Sequence, residues 1–283
     1  MKAMGAVRSS TVLFFLAMLV AGSGAPAQQA QQAQQTKQFQ PEVGQAGKDV
    51  VWVPTPQALV DKMLDMAKLT PQDFLVDLGS GDGRTVITAA KRGARALGIE
   101  FNPDMVELSI ASALKEGVSE RAKFMKADIF ESDFTQATVV TMFLLPGINM
   151  KLRPKLLDMK PGTRIVTNSF TMEDWQADES ATVEDGCTTW CTAYLWIVPA
   201  KVAGTWKLAS GELVLNQEFQ SLGGTFTSNG KSMTVSDAKM RGDQITFTAG
   251  GAAYTGRVKG DRMDGTVSIN GKAVPWSAAR AVK

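Results

Sequence analysis

The sequence has no histidine, only two cysteines and two tyrosines, and charges that almost cancel: 30 Lys and Arg stand against 28 Asp and Glu in 283 residues. Without histidine there is no histidine-based nucleophilic triad and no His-ligated metal. Cys187 and Cys191 alone make a poor metal site, so no metal is expected. In an oxidising compartment their C-x3-C spacing reads as a disulfide across a turn, with two free thiols as the alternative. A chain this near neutrality exerts little general pull on phosphate backbones, and nucleic acid is not an expected partner.

The apolar run at residues 11–21 (TVLFFLAMLVA) is too short for a membrane span, which needs roughly 20 residues. Lys2 and Arg8 precede it, and Gly22-Ser23-Gly24 and Ala25-Pro26-Ala27 follow. This is the layout of a secretory signal peptide over residues 1–27. The mature protein is therefore expected to be exported, to the periplasm, with no stable transmembrane span. No cysteine follows the run, so lipoprotein processing is not indicated, and Arg8 lacks the second arginine of a twin-arginine signal. Residues 28–200 carry 17 basic and 22 acidic side chains, and residues 201–283 carry 11 and 6. The basic C-terminal piece could face an anionic partner or the acidic domain beside it; solvated faces are the plainer reading.

Residues 28–49 begin with a Gln/Ala-rich stretch (QQAQQAQQTKQFQ) with almost nothing to bury, and read as a disordered linker. The folded part, residues 50–200, opens with Val50 and Val51. Helical periodicity at 58–69, 83–92, 103–116 and 151–159 alternates with buried-strand runs at 74–78, 96–100, 122–125, 138–144 and 163–166; a further apolar strand covers 193–198. That rhythm implies an α/β fold with helices on both faces of a parallel sheet. With 44% apolar residues a sizeable core is available. From about Val202 short alternating runs are separated by Asn229-Gly230, Arg241-Gly242-Asp243, Lys259-Gly260-Asp261 and Asn270-Gly271. Residues 201–283 therefore read as a small antiparallel β-meander or barrel. It would serve as a cap over substrate access, or as a module binding protein or glycan.

The informative stretch is Val76-Asp77-Leu78-Gly79-Ser80-Gly81-Asp82-Gly83-Arg84. A glycine-rich turn between a buried strand and a helix lets a ligand approach the backbone; a tight structural turn is the plain alternative. Asp77 before the glycines would repel a pyrophosphate and attract a cation. S-adenosylmethionine carries a sulfonium and an α-ammonium, and no phosphate. Glu100 ends the next strand, where an acid can accept both ribose hydroxyls. Asp128 follows the third strand, placed to accept from an adenine amino group, with Phe101 and Ile129 flanking the ring. Each acid alone reads as a cap or loop residue; three at successive strand ends after such a turn point to S-adenosylmethionine.

These segments resemble the first three motifs of class I S-adenosylmethionine-dependent methyltransferases. Val53-Pro54-Thr55 and Phe143-Leu144-Leu145-Pro146 further resemble a family of small lysine methyltransferases that modifies the ATP synthase c-subunit and the adenine nucleotide translocase, and has bacterial relatives. The resemblance spans about residues 51–198. It implies a Rossmann-like domain with a mostly parallel seven-stranded sheet and a protein lysine amino group as acceptor. It also implies S-adenosylmethionine held by Asp77, Gly79, Ser80, Gly81, Gly83, Glu100, Phe101, Asp128, Ile129 and Thr55, with Leu145 and Pro146 lining the acceptor site. The C-terminal meander and the export signal are outside that family's usual pattern. The Asn-Pro-Pro-Tyr tetrapeptide of many adenine and glutamine methyltransferases is replaced by Leu144-Leu145-Pro146-Gly147, which cannot ionise. No catalytic residue is singled out. Methyl transfer asks the protein mainly to position the acceptor and exclude water, and an apolar pocket helps a lysine lose its proton. An exported binding or assembly module on the same fold is the alternative, because S-adenosylmethionine is made in the cytoplasm. An NAD-dependent oxidoreductase is disfavoured by Asp77 and by the G-x-G-x-G spacing.

Overall fold

Strand and helix periods alternate along the chain as far as residue 197, and the computed structural model, which describes residues 39–269 and 271–281, shows the layers they build. The expected signal peptide and residues 28–38 of the expected linker lie outside the described residues. No helix among the described residues is long and apolar enough to cross a membrane.

In chain order come α1 (Gln57–Met66), β1 (Phe74–Leu78), α2 (Arg84–Lys91), β2 (Arg95–Glu100), α3 (Pro103–Lys115), β3 (Ala122–Lys126), β4 (Val139–Met142), α4 (Pro146–Leu157), β5 (Arg164–Asn168), β6 (Glu179–Thr182) and β7 (Thr192–Ile197). The strands form one seven-stranded sheet in the order β3-β2-β1-β4-β5-β7-β6. β1 to β5 are parallel, and β7 runs antiparallel to both β5 and β6. Strand order reverses at β1, between β2 and β4. At such a switch point open α/β sheets bind ligands beyond the carboxyl ends of the strands.

β1 is apolar on both faces except for Asp77, because both faces of the sheet are covered. Leu75 joins Leu59, Val86 and Ala90 of α1 and α2 in one core. Val76 and Leu78 point the other way, into a core with Phe134, Leu152 and Trp196. α3 starts where its sequence says: the Asn102 side chain accepts from the Asp104 N–H, Pro103 occupies the first turn, and Gly117 follows with φ +69°. Two elements differ from expectation. α4 begins at Pro146 rather than near Lys151, because Leu145 leads directly into a proline-started first turn. β6 has little apolar pattern, since it is a largely exposed edge strand.

The expected meander closes on itself. β8 (Gly204–Leu208), β9 (Gly211–Glu218), β10 (Ser221–Ser228), β11 (Lys231–Arg241), β12 (Gln244–Ala249), β13 (Ala252–Lys259), β14 (Arg262–Ile269) and β15 (Lys272–Arg280) each pair with the next. The β15–β8 pairing completes an eight-stranded barrel. Closure removes the sheet edges, and Trp206, Phe226, Met240, Ile245 and Phe247 fill the inside. Asn229 and Gly230 turn β10 into β11 with φ +48° and +74°, the geometry a two-residue hairpin of right-handed twist needs.

The barrel is mounted on the amino-end side of β5, where β7 finishes. Ala200 N–H donates to the Gly242 carbonyl over 2.8 Å. Arg241 pairs with Glu179 at the start of β6. Trp175, fully buried, donates from Nε1 to Gln220 Oε1 over 3.0 Å and stacks on Phe219 at 5.9 Å between centroids. Gln220 Nε2 in turn donates to the Gln176 carbonyl. Trp175 therefore serves both bodies. Trp175→Ala is expected to lower unfolding free energy by about 3–5 kcal/mol, read from urea denaturation. A loss under about 1 kcal/mol would show that the junction does not depend on it.

Candidate functional site

The glycine-rich turn owes its path to conformations other residues resist. Gly79, Gly81 and Gly83 have φ of +75°, +54° and +80°. A Cβ on Gly81 would lie 2.5 Å from Trp52 Nε1, so the turn also needs the missing side chain. Gly79 and Ser80 both donate from N–H to the Ile99 carbonyl, fastening the turn to β2. Gly83 caps α2 without a side-chain bond.

Asp77 lies in register with Gly98 of β2 and Thr141 of β4. The Thr141 hydroxyl donates to its Oδ1 over 2.7 Å. Burial pushes its pKa up to about 7 against that hydrogen bond, and the charges of Glu100 and Asp82 push the same way. Glu100 is clamped: Oε2 accepts from the Gly81 N–H and Oε1 from the Phe101 and Asn102 N–H groups, all at 2.9 Å. Asp128 Oδ1 accepts from the Phe130 N–H over 2.9 Å, and its Oδ2 pairs with Lys48. That hydrogen bond to Lys48, with the Phe130 N–H, holds the Asp128 carboxyl below the usual carboxylate range.

The three acids border one pocket at the carboxyl ends of β1, β2 and β3. Of the residues expected to hold a cofactor, Thr55, Asp77, Gly79, Ser80, Gly81, Glu100, Phe101, Asp128 and Ile129 line it. Gly83, at the start of α2, does not; nor do Leu145 and Pro146, whose neighbours Phe143, Leu144 and Ile148 do. Thr55 is held from both sides: its Oγ1 accepts from Asn168 Nδ2 over 3.2 Å and its carbonyl from Arg84 Nη1 over 2.9 Å. Ser80 Oγ is buried in the pocket wall with no hydrogen-bond partner among the described residues.

The reading of residues 28–49 as a disordered linker is corrected at its C-terminal end. Gly44 N–H donates to the Trp52 carbonyl over 2.8 Å and Trp52 N–H to the Gln45 carbonyl over 2.9 Å. These bonds close an arm whose residues 45–55 form part of the pocket wall. At its tip Lys48 reaches Asp128 and sits 5.1 Å from the centroid of Phe101. The composition of residues 28–40 hides this, and a lone Lys48 carries no local signal. The barrel supplies none of the lining residues. Trp175, Trp196 and Trp206 are fully buried, but Trp190 is 46% exposed. Cys187 and Cys191 form the disulfide.

A switch-point pocket with a buried acid ahead of a G-x-G-x-G turn is that of a class I methyltransferase. The model of the ANTKMT methyltransferase domain family matches residues 77–179. A protein-lysine N-methyltransferase of Saccharolobus islandicus is 44% identical over 152 residues, which cover 53% of this chain and 94% of that one. The human lysine N-methyltransferase of the ATP synthase c-subunit is 35% identical over 140 residues, covering 49% of this chain and 59% of that one. Among solved structures, an RNA methyltransferase from Salinibacter ruber in complex with S-adenosyl-L-homocysteine is 43% identical, with a TM-score of 0.50, covering 53% of this chain and 96% of that one. The chain belongs to this family of methyltransferases, and it is an S-adenosylmethionine-dependent enzyme.

Proposed function

We propose that the protein transfers the methyl group of S-adenosylmethionine to a lysine ε-amino group of another protein, after export from the cytoplasm. The observation that carries the donor side is Asp77: a buried carboxyl at the pocket wall, with its pKa raised to about 7, is an anion awaiting a cation. The two basic side chains that line the pocket with it are engaged elsewhere, Arg84 with Asp82 and Lys48 with Asp128. The ligand must bring the charge, as the α-ammonium and sulfonium of S-adenosylmethionine do. Ser80 Oγ offers a further buried polar atom to such a ligand. Glu100 keeps acceptor capacity for ribose hydroxyls, since each carboxylate oxygen has more than one lone-pair site. Asp128, Phe101 and Ile129 frame the adenine end, where Lys48 must share or release Asp128.

When bound, S-adenosylmethionine supplies a carbon on which the new N–C bond forms as the C–S bond breaks, the electron pair staying on sulfur and the positive charge passing to nitrogen. The chain's part is to hold both partners and keep water out. Phe143, Leu144 and Ile148 give the pocket an apolar wall that favours a neutral amine.

The lysine acceptor is supported by the Saccharolobus islandicus relative, which the chain matches over nearly its whole length. The Salinibacter ruber protein favours RNA instead. Against RNA stands the excess of 22 acidic over 17 basic side chains in residues 28–200, a poor surface for a phosphate backbone. Export is supported by the layout of residues 1–27 and by the Cys187–Cys191 disulfide, a bond of oxidising compartments.

Three measurements test this reading. Asp77 is neutral below pH 7 and anionic above it, so S-adenosylmethionine should bind about tenfold more weakly at pH 6 than at pH 8. Asp77→Asn should bind weakly at both; a pH-independent affinity in the unchanged protein would remove Asp77 from the donor site. Incubation of an envelope extract with labelled S-adenosylmethionine should yield methyl-lysine on protein hydrolysis, whereas ribonuclease-sensitive label would transfer the reading to RNA. Expression with residues 1–27 intact should give periplasmic protein beginning at Gln28; retention of the full chain in the cytoplasm would end the export proposal.

A further inference from the structure

Beside the donor pocket lies an aromatic cluster that the donor chemistry does not use. Phe143 follows β4 and is itself part of the pocket wall. Its ring stacks on Phe170 at 5.9 Å, centroid to centroid, and meets Trp190 at 6.1 Å; Phe170 and Trp190 are 5.1 Å apart. The cluster therefore runs from the exposed ring of Trp190 to the wall of the pocket.

One of its three members has unfavourable backbone, and a second directly follows a residue that has it. Trp190 has φ +59°, and Ser169, immediately before Phe170, has φ +58°. Left-handed backbone is rare for bulky residues and persists only where the surroundings impose it. The Cys187–Cys191 disulfide closes a short loop around Trp190. The Cys191 carbonyl accepts from the Val183 N–H over 2.9 Å, and the Thr192 carbonyl from the Ser169 N–H over 2.7 Å. Those bonds tie the loop to the turn that carries Phe170. A large apolar side chain held half in water at such a cost leaves ring surface open to a ligand, whereas Trp175, Trp196 and Trp206 are buried completely.

We propose that Phe143, Phe170 and Trp190 form the acceptor-side platform of the enzyme, on which a lysine side chain lies with its methylenes against the rings and its cationic head over an aromatic face. The proposal rests on the lysine reading and adds to it the residues that recognise the acceptor. An alkylammonium within about 6 Å of an aromatic centroid is attracted by the negative face of the ring, and more strongly as water is excluded. The same faces suit the acceptor nitrogen once it has gained a methyl group and the positive charge. Trp190 is thus a binding residue whose position depends on the disulfide.

The test uses the full mature protein and two small probes, N-acetyl-Nε-trimethyllysine methylamide and its neutral analogue with carbon in place of the charged nitrogen. Binding is followed through the Trp190 indole resonance, assigned by its absence in Trp190→Phe, and in the variants by calorimetry. The cation should bind about tenfold more tightly than the neutral probe. Trp190→Ala should abolish that preference, Trp190→Phe should keep most of it, and Cys187→Ser with Cys191→Ser should weaken it. Equal binding of the two probes, or a preference that survives Trp190→Ala, overturns the platform. In the labelling assay Trp190→Ala should raise KM for the lysine substrate more than it lowers kcat. Labelled lysine with an unchanged KM would overturn the platform and leave the lysine reading standing. A Trp190-dependent cation preference without labelled lysine would keep the cation site and overturn the lysine reading.

Discussion

Asp77 stands at the end of the central strand with its carboxyl buried, and nothing close by neutralises it. A hydroxyl from Thr141 helps, but Glu100 and Asp82 make its ionisation harder. A buried carboxylate without a cation costs several kcal/mol, and that cost raises its pKa to about 7. Much of the local sequence serves this arrangement. Gly98 opposite Asp77 leaves room for Ser80, whose Oγ would lie 2.5 Å from any Cβ there. Gly79 and Gly81 add no side chain to the pocket wall at the turn. Glu100, held by three backbone N–H groups, fixes the distance between the turn and the second strand.

The donor side is legible in the sequence because it is made of residues adjacent to the ends of regular elements. A strand period, a glycine run and an acid at the next strand end are local patterns, and parallel topology brings them together without further information. Nine of the ten residues read as cofactor contacts line the pocket for that reason. Gly83 lies outside that lining and starts α2. The barrel is legible for a similar reason, since its hairpin turns sit at regular spacing and every strand pairs with its neighbour in sequence.

What the sequence hides depends on contacts between distant residues. The arm at residues 44–52 is ordered by two backbone hydrogen bonds and by Lys48 meeting Asp128 eighty residues away. Its Gln-rich neighbourhood suggests no structure at all. Leu145 and Pro146 suit acceptor contacts only by their position in a motif. They lead into and begin α4, and their neighbours Phe143 and Leu144 line the donor pocket. Trp190 resembles the other tryptophans in sequence. Its exposure follows from a loop closed by the disulfide, and no periodicity encodes that.

One topological fact arranges the two ends of the molecule. Because β7 runs against its neighbour β5, the loop that enters it, with Cys187, Trp190 and Cys191, lies at the carboxyl ends of the parallel strands, beside Phe143 and Phe170. The chain leaving β7 emerges at the opposite end, and there the barrel is attached through Ala200, Gly242 and the Trp175–Gln220 pair. A parallel seventh strand would have put the barrel over the pocket and the disulfide loop away from it. The antiparallel strand separates the two: the pocket end faces ligands, while the barrel is braced on the far end by a buried indole and ion pairs such as Arg241–Glu179. The barrel therefore holds the edge of the sheet in place without lining the pocket, whose wall the N-terminal arm completes, while the loop before β7 meets that wall through Trp190 and Phe143.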